Sequence, residues 1–339
     1  MSEGPLLDIE NLSVEFRQGR RASSFKAVDD VSLQIHPGET VGLVGESGSG
    51  KSTIGNAVLG LVPVSMGRIR FASQDITRAG FAQRRALSAQ LQVVFQNPYS
   101  SLNPVRTIGQ TLAEPLGVHR KLSKADTAVE VARMLERVGL PTGAAGRYPP
   151  QFSGGQRQRI AIARALMLSP QLVICDEVVS ALDLSIQAQV LNLLRDLQDE
   201  FGLSYLFISH DLAVVRNVSH RIVVLYRGQI MESGLAHQVS EAPSHPYTRA
   251  LLAAAPVPDP RRQAERRFAR SSLAASGSGE LSSGSHCPFA ARCPHVIDVC
   301  RSGRPPLRPV SSDLAVACHR YAELNPSRTL SLQGANHDS

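Results

Sequence analysis

The stretch Gly45-Glu46-Ser47-Gly48-Ser49-Gly50-Lys51-Ser52 limits what this chain can fold into more than any other. It follows an apolar run, Thr40-Val41-Gly42-Leu43-Val44, and leads into Thr53–Leu59, which reads as a helix. Strand, glycine-rich loop and helix in that order, with the spacing G-x-x-x-x-G-K-[ST], make a phosphate-binding loop. Glycines let the backbone curl so that successive N–H groups point inward, and the helix N-terminus adds its positive end. Gly45, Glu46, Ser47, Gly48, Ser49, Gly50, Lys51, Ser52 and Thr53 are therefore the expected nucleotide-binding residues. Lys51 would reach the β- and γ-phosphates and Ser52 would hold Mg²⁺. A chance match in a chain of this length has odds of about one per cent.

Composition narrows the class. With 339 residues, 42% hydrophobic and 19% charged, the chain can bury a full core and has room for one large domain and a smaller addition. Its first residues, Met1-Ser2-Glu3-Gly4-Pro5, carry no basic region followed by an apolar core, so no secretory signal is expected. No apolar run approaches the ~20 residues that span a bilayer. The expectation is a soluble protein that reaches a membrane only through a partner. The net charge of +7 is densest at Arg261, Arg262, Arg266, Arg267 and Arg270, in a Pro/Ala-rich stretch. Aromatic residues are few and Trp is absent, which argues against a base-stacking platform and hence against nucleic acid. The arginines read as a solvated linker that could lie near anionic lipid.

Along the chain, Leu6–Phe16 and Ala27–Ile35 read as strands, separated by the polar loop Arg17–Ser24. Gly67–Phe71 and Leu91–Phe95 are further strands, the second ending at Gln96. From Pro98 to Gly139 the pattern is helical, clearest over Thr127–Val138. Tyr148-Pro149-Pro150 breaks it before Phe152-Ser153-Gly154-Gly155-Gln156, which opens a basic helix through Leu168. Leu172–Cys175, Tyr205–Ser209 and Ile222–Tyr226 are strands, and Ser185–Phe201 is a helix. Alternating strands and helices predict an α/β fold with a mostly parallel sheet covered on both faces. No internal repeat is visible.

The strand Leu172–Cys175 ends in Asp176-Glu177. One carboxylate there can hold Mg²⁺ and a second can orient or deprotonate an attacking water. A plain surface acidic pair is the alternative, and the phosphate loop decides against it.

Phe152-Ser153-Gly154-Gly155-Gln156-Arg157-Gln158-Arg159 resembles the signature sequence of ABC ATPases, and the family's other landmarks follow in order. Gln96 looks like the Q-loop glutamine, Ser180-Ala181-Leu182-Asp183 like the D-loop, and Ser209-His210-Asp211 like the switch histidine. Phe16 matches the adenine-stacking aromatic, with Phe25 second. The resemblance covers residues 6–255 and implies a P-loop NTPase, ABC-type ATPase core: a mostly parallel sheet with an antiparallel β subdomain and a helical subdomain (97–168). It also implies a head-to-tail pair of ATPase subunits with two ATPs between them. Ser153, Gly154, Gly155, Gln156 and Asp183 would then complete the site of the opposite subunit; a Ser-Gly-Gly helix start is itself an anion site. Glu177 would polarise the water, His210 would contact the γ-phosphate, and Lys51 would stabilise the developing charge. Ser52, Gln96 and Asp176 would hold Mg²⁺. One departure stands out. The family usually has Pro-Thr after the acidic pair, and this chain has Val178-Val179, without the fixed φ of proline.

Three features resemble the ATPase subunits of oligopeptide and dipeptide importers, a group that also includes nickel and glutathione importers. They are Phe95-Gln96-Asn97-Pro98-Tyr99-Ser100-Ser101-Leu102-Asn103-Pro104, His245-Pro246-Tyr247-Thr248-Arg249-Ala250-Leu251-Leu252, and a small Cys-bearing C-terminal extension. In that extension Cys287, Cys293, Cys300 and Cys318 suggest one site, while Cys175 stands apart in a core strand. The spacing fits neither the tight pair usual for zinc nor a common ferredoxin run, and free thiols remain a reading. Related importers carry a [4Fe–4S] cluster here, so the resemblance implies iron–sulfur ahead of zinc. The expected layout is an ABC domain over 1–255, a linker over 256–285, a Cys-rich segment over 286–325 and a tail over 326–339. The implied function is ATP-driven import of peptides by a peripheral subunit at the cytoplasmic face of the cell membrane. Its implied partners are a second, different ABC ATPase, two transmembrane permease subunits and, indirectly, an external binding protein. A soluble ABC ATPase acting on nucleic acid or ribosomes is the alternative, as is a subunit that does not hydrolyse ATP. The cargo lies beyond these motifs.

Overall fold

The structure, a computed structural model, describes residues 4–17, 24–97, 101–254 and 286–325. The expected linker 256–285 with its arginines, the tail 326–339 and Pro98-Tyr99-Ser100 lie outside the described residues. β1 (Leu7–Arg17) and β2 (Ser24–Ile35) pair antiparallel. β3 (Thr40–Val44), buried at every residue, runs into the phosphate loop and α1 (Lys51–Leu59). β4 (Met66–Phe71) and β5 (Gln74–Asp75) return to β1, giving a four-stranded antiparallel sheet in the order β2-β1-β4-β5. Next come α2 (Phe81–Leu87) and β6 (Leu91–Val94).

A helical segment follows: α3 (Ile108–His119), α4 (Lys124–Arg137) and α5 (Gly154–Leu166). Side chains set its boundaries. Thr107 and Gln110 form a reciprocal capping box at the start of α3, and the Ser123 hydroxyl accepts from the Asp126 N–H at the start of α4. That cap starts α4 three residues before the expected Thr127. Val131, Met134 and Leu135 recur at helical spacing and form its buried face.

The chain then alternates through β7 (Leu172–Asp176), α6 (Leu184–Phe201), β8 (Ser204–Ser209), α7 (Leu212–Val218) and β9 (Arg221–Tyr226). β10 (Gln229–Leu235), α8 (Ala236–Glu241) and α9 (Pro246–Ala254) close this part. The main sheet has eight strands in the order β11-β12-β10-β9-β3-β8-β7-β6, where β11 (Arg308–Ser311) and β12 (Leu314–Val316) come from the Cys-bearing extension. From β9 to β6 every pairing is parallel, and from β11 to β9 every pairing is antiparallel.

Alternation along the strands divides the interior in two. Leu172 and Ile174 of β7, with Leu206 and Ile208 of β8, face the core shared with α1 and the antiparallel sheet. Val173, Cys175, Tyr205 and Phe207 face the core shared with the helical segment and the C-terminal extension. The buried Cys175 has its thiol pKa pushed up by desolvation.

Sequence reasoning set the extension apart from the ATPase core, and the structure joins them. β12 pairs with β10, so Glu232↔Val316, Ser233↔Ala315 and Gly234↔Leu314 continue the main sheet. Glu232 on β10 is 0% exposed, and its carboxylate accepts the backbone N–H groups of Ser244 (2.8 Å) and His245 (2.9 Å). A buried carboxylate holding two backbone donors fixes the turn into α9, and its loss leaves both donors dry. Glu232→Ala is expected to lower stability by about 2–4 kcal/mol, read as the loss of unfolding free energy in denaturant melts, with Glu232→Gln losing less.

Candidate active site

Strand register assembles the site. Val94↔Cys175 across β6 and β7 places Gln96 and Glu177 two residues past paired positions. Asp176↔Ile208 across β7 and β8 sets His210 beyond the neighbouring strand end, and Val44↔Ser209 sets the phosphate loop beyond the next. Gln96 and Glu177, 81 positions apart, thus arrive at one edge with His210 and the phosphate loop because parallel strands deliver their C-terminal ends there.

The loop backbone requires glycine at two points. A Cβ on Gly45 would come within 2.1 Å of the Leu225 carbonyl oxygen, and Gly50 caps α1 with φ 102° against the Ala27 carbonyl. Lys51 lies inside the loop, 4% exposed, and its Nζ donates to the carbonyls of Gly45 (2.8 Å) and Glu46 (2.9 Å) and to Ser49 Oγ (3.3 Å). Burial lowers its pKa, and the carboxylates of Glu177, Asp176 and Glu46 oppose that shift. Ser52 Oγ donates to Asp176 Oδ1 at 2.9 Å. A hydroxyl and a carboxylate meeting at a phosphate loop are the hard oxygen donors that suit Mg²⁺. Burial raises the Asp176 pKa, and the Ser52 hydrogen bond acts against it.

Gln96 Nε2 donates to Glu177 Oε2 (2.9 Å) and to Ser180 Oγ (3.3 Å), and His210 Nδ1 lies 3.5 Å from Glu177 Oε1. Gln96 and His210 therefore converge on the Glu177 carboxylate. Glu177 sits in the left-handed region, φ 49°. A non-glycine residue there is strained, and the surroundings hold it in place. Its N–H donates to the Ile208 carbonyl (2.9 Å), while its own carbonyl accepts from the Ser180 N–H (3.1 Å) and hydroxyl (2.9 Å). Val178 and Val179, where the family pattern has Pro-Thr, are 2% and 3% exposed in the core. Buried valines and these hydrogen bonds fix the turn in place of a proline.

Ser153 caps α5 in a reciprocal box with Gln156, its hydroxyl accepting the Gln156 N–H at 3.3 Å while its own N–H donates to Gln156 Oε1 at 3.0 Å. Asp183 caps α6 by accepting the Ile186 N–H at 3.0 Å. Gly155 joins the two caps, since a Cβ there would stand 2.6 Å from Ile186 Cγ2. Phe16 and Phe25 face each other across β1 and β2, 39% and 53% exposed. They leave an open aromatic surface at the end of the hairpin.

Cys287, Cys293, Cys300 and Cys318 line one pocket with His245, Phe289, His295 and His319. Burial pushes the Cys287 thiol up to about 12 and raises those of Cys293 and Cys318. Among the described residues no group of three or more His, Cys, Asp or Glu is arranged to hold a metal ion, so the iron–sulfur and zinc expectations gain no support from this geometry.

Two contacts escaped sequence reasoning. The Glu46 N–H donates to the Tyr247 hydroxyl at 3.0 Å, and Glu46 also pairs with Arg292. Tyr247 stands inside the distinctive His245–Leu252 segment; Arg292 is marked only by its place beside Cys293.

Comparison with known proteins agrees with this geometry. A family model described as ABC transporter matches residues 28–180, and one described as oligopeptide/dipeptide transporter, C-terminal region, matches residues 231–300. A putative peptide import ATP-binding protein of Brucella abortus (strain 2308) is 50% identical over 317 residues, covering 92% of this chain and 93% of that protein. Another from Brucella ovis is 46% identical over 320 residues, covering 94% and 99%. Among solved structures, a dimeric ATP-binding cassette in a post-hydrolysis state bound to ADP and Pi is 28% identical, with a TM-score of 0.62 over 68% of this chain and 98% of that one. The cbiO1 protein of Clostridium perfringens, part of the ABC transporter complex cbiONQ, is 25% identical, with a TM-score of 0.64 over 71% and 92%.

The Gly155 contact makes a direct test. Gly155→Val should push α5 off α6 and lower ATP turnover by at least about tenfold, with nucleotide affinity of the isolated chain retained; Ile186→Ala in the same chain should restore part of the rate.

Proposed function

The chain belongs to the ABC transporter ATP-binding proteins of the peptide import type, and on that premise we propose that it drives peptide uptake by binding and hydrolysing ATP against membrane permease partners. The observation that carries this reading is the convergence of Gln96, Glu177 and His210 beside Lys51, Ser52 and Asp176, on a chain half identical to peptide import ATP-binding proteins.

The residues act in a fixed order. The loop N–H groups and Lys51 take the phosphates, Lys51 exchanging its carbonyl partners in the loop for phosphate oxygens. Ser52 and Asp176, with Gln96 nearby, would hold Mg²⁺, which would supply positive charge against the charge that develops on the phosphate. Glu177 accepts a proton from, or orients, the attacking water, and His210 contacts the γ-phosphate and keeps the line of attack. Gln96 touches the Glu177 carboxylate and precedes the helical segment in the chain, so it would carry the state of the nucleotide toward the permease contact. Phe16 offers its open face to the adenine, with Phe25 beside it.

Ser153, Gly154, Gly155, Gln156 and Asp183 serve the opposite subunit. Ser153 and Asp183 cap their own helices, and the start of α5 would serve as an anion site for a phosphate held by another chain. Two such chains bound head to tail give two composite sites with two-fold or pseudo-two-fold symmetry. We assign the partner ATPase to a different chain, the membrane partners to two permease subunits fed by an external binding protein, and the location to the cytoplasmic face. Among the described residues no helix is long and apolar enough to cross a membrane, in keeping with a peripheral role. For the four-cysteine pocket we propose the iron–sulfur reading ahead of zinc and free thiols; its support is the family resemblance and the shared pocket.

Purification of tagged protein from mildly solubilised native membranes should bring down two polytopic membrane proteins and a second ABC ATPase, identified by mass spectrometry. Ribosomal or DNA-bound companions without membrane proteins would overturn the import reading. In the recovered complex Glu177→Gln should cut hydrolysis at least about hundredfold while ATP binding persists. Equal rates for both proteins would remove Glu177 from the chemistry. Protein purified without oxygen should contain iron and acid-labile sulfide; four titratable thiols and no bound metal would return the pocket to plain cysteines.

A further inference from the structure

Glu46 puts a carboxylate in the loop that is to receive a polyanion, and its counter-charge comes from the far end of the chain. Arg292 stands 246 residues away, in the short turn Ala290–Arg292 between Cys287 and Cys293. Its Nη1 and Nη2 donate to Glu46 Oε2 and Oε1 at 2.9 and 3.0 Å, a forked pair. The same guanidinium lies 5.8 Å from the ring centres of both Tyr226 and Phe289. Tyr226, Tyr247 and Phe289 pack with ring centres 4.6 to 5.5 Å apart, all buried, between the phosphate loop and the four-cysteine pocket. Glu46 is thus held at three points: its N–H by the Tyr247 hydroxyl, its carbonyl by Lys51 and its carboxylate by Arg292.

The other side of the loop is tied to the same extension. Arg304 donates to Asp29 Oδ2 (2.9 Å) and to the Asp29 carbonyl (3.1 Å). The Asp29 N–H donates to the Gly228 carbonyl, and the Gly228 N–H donates to the Ser49 carbonyl, each at 2.9 Å. The extension therefore grips the loop at Glu46 and, through two backbone links, at Ser49.

We propose that Arg292 is a positioning residue for the phosphate loop, acting through Glu46 to hold the loop open and to cancel the one carboxylate that the loop itself carries. The inference rests on the ATP-binding reading and adds the Cys-bearing extension to the nucleotide site. A single half-exposed ion pair contributes little to stability. Its consequence is local: without Arg292 the Glu46 charge is uncompensated beside an incoming triphosphate, and the loop loses one of its three restraints. Lysine keeps the charge and cannot make the fork.

The test is the affinity of the full-length chain for MgATP, by calorimetry, for wild type, Arg292→Ala, Arg292→Lys, Glu46→Gln and the Arg292→Ala/Glu46→Gln double variant. Arg292→Ala should weaken binding about three- to tenfold, and Arg292→Lys should recover part of that. The double variant should bind more tightly than Arg292→Ala alone, because removing the carboxylate removes the repulsion. In the assembled transporter KM for ATP should rise by a larger factor than kcat falls. A merely structural arginine would lower the melting temperature of Arg292→Ala and leave its MgATP affinity equal to wild type, which overturns the inference alone. A double variant no better than Arg292→Ala also overturns it. Wild-type protein that fails to bind MgATP overturns the nucleotide reading and the inference together.

Discussion

Parallel pairing of β6, β7, β8, β3 and β9 is the constraint on which the rest of this structure depends. Each of these strands is a short apolar run, and each ends at the same edge of the sheet. The residue that follows each run is released from the core but held in place by the strand behind it. Asp176, Glu177, His210, Gln96 and the phosphate loop are all such residues. A shift of one position in any pairing would exchange the two cores and turn the polar groups away from one another. The site is therefore as rigid as the packing of Leu172, Ile174, Leu206 and Ile208 beneath it.

Glu177 shows how that rigidity is used. Its backbone stands in a conformation unfavourable to any residue with a side chain, and two neighbours hold it there. A proline in the next position is one way to fix such a turn. Here two buried valines anchor the following residues in the core, so the carboxylate keeps its aim through packing. The same carboxylate is shared by Gln96 and His210, which ties a group on the sheet to the start of the helical segment.

Most of the site could be read from the sequence because its groups adjoin strong local signals. Gln96, Glu177 and His210 each follow an apolar strand, and Lys51 and Ser52 belong to a motif with fixed spacing. Ser153 and Asp183 sit at helix starts, where their side chains have a local cap to make. The remainder was hidden for equally physical reasons. β10 carries Glu232 and Gly234, and β11 and β12 are only four and three residues long, one with Pro309. No periodicity survives in segments so short or so interrupted. Arg292 pairs with a residue 246 positions away, and only the folded sheet brings the two together. The four cysteines were expected in one place and share one pocket, yet their spacing said nothing of how the sulfurs would be disposed.

The grip of the C-terminal extension on the phosphate loop has a consequence for the way the protein is made. Residues 40 to 226 carry the parallel strands and can collapse as soon as they leave the ribosome. The loop at Glu46, however, gains the last of its three restraints only after Arg292 has emerged and docked with Arg304 and β12. A growing chain therefore passes through a stage in which the sheet exists, one of its edges is bare at β10, and the nucleotide loop is loosely held. Docking of the last segment covers that edge and adds the Arg292 and Arg304 ties to the loop in one event.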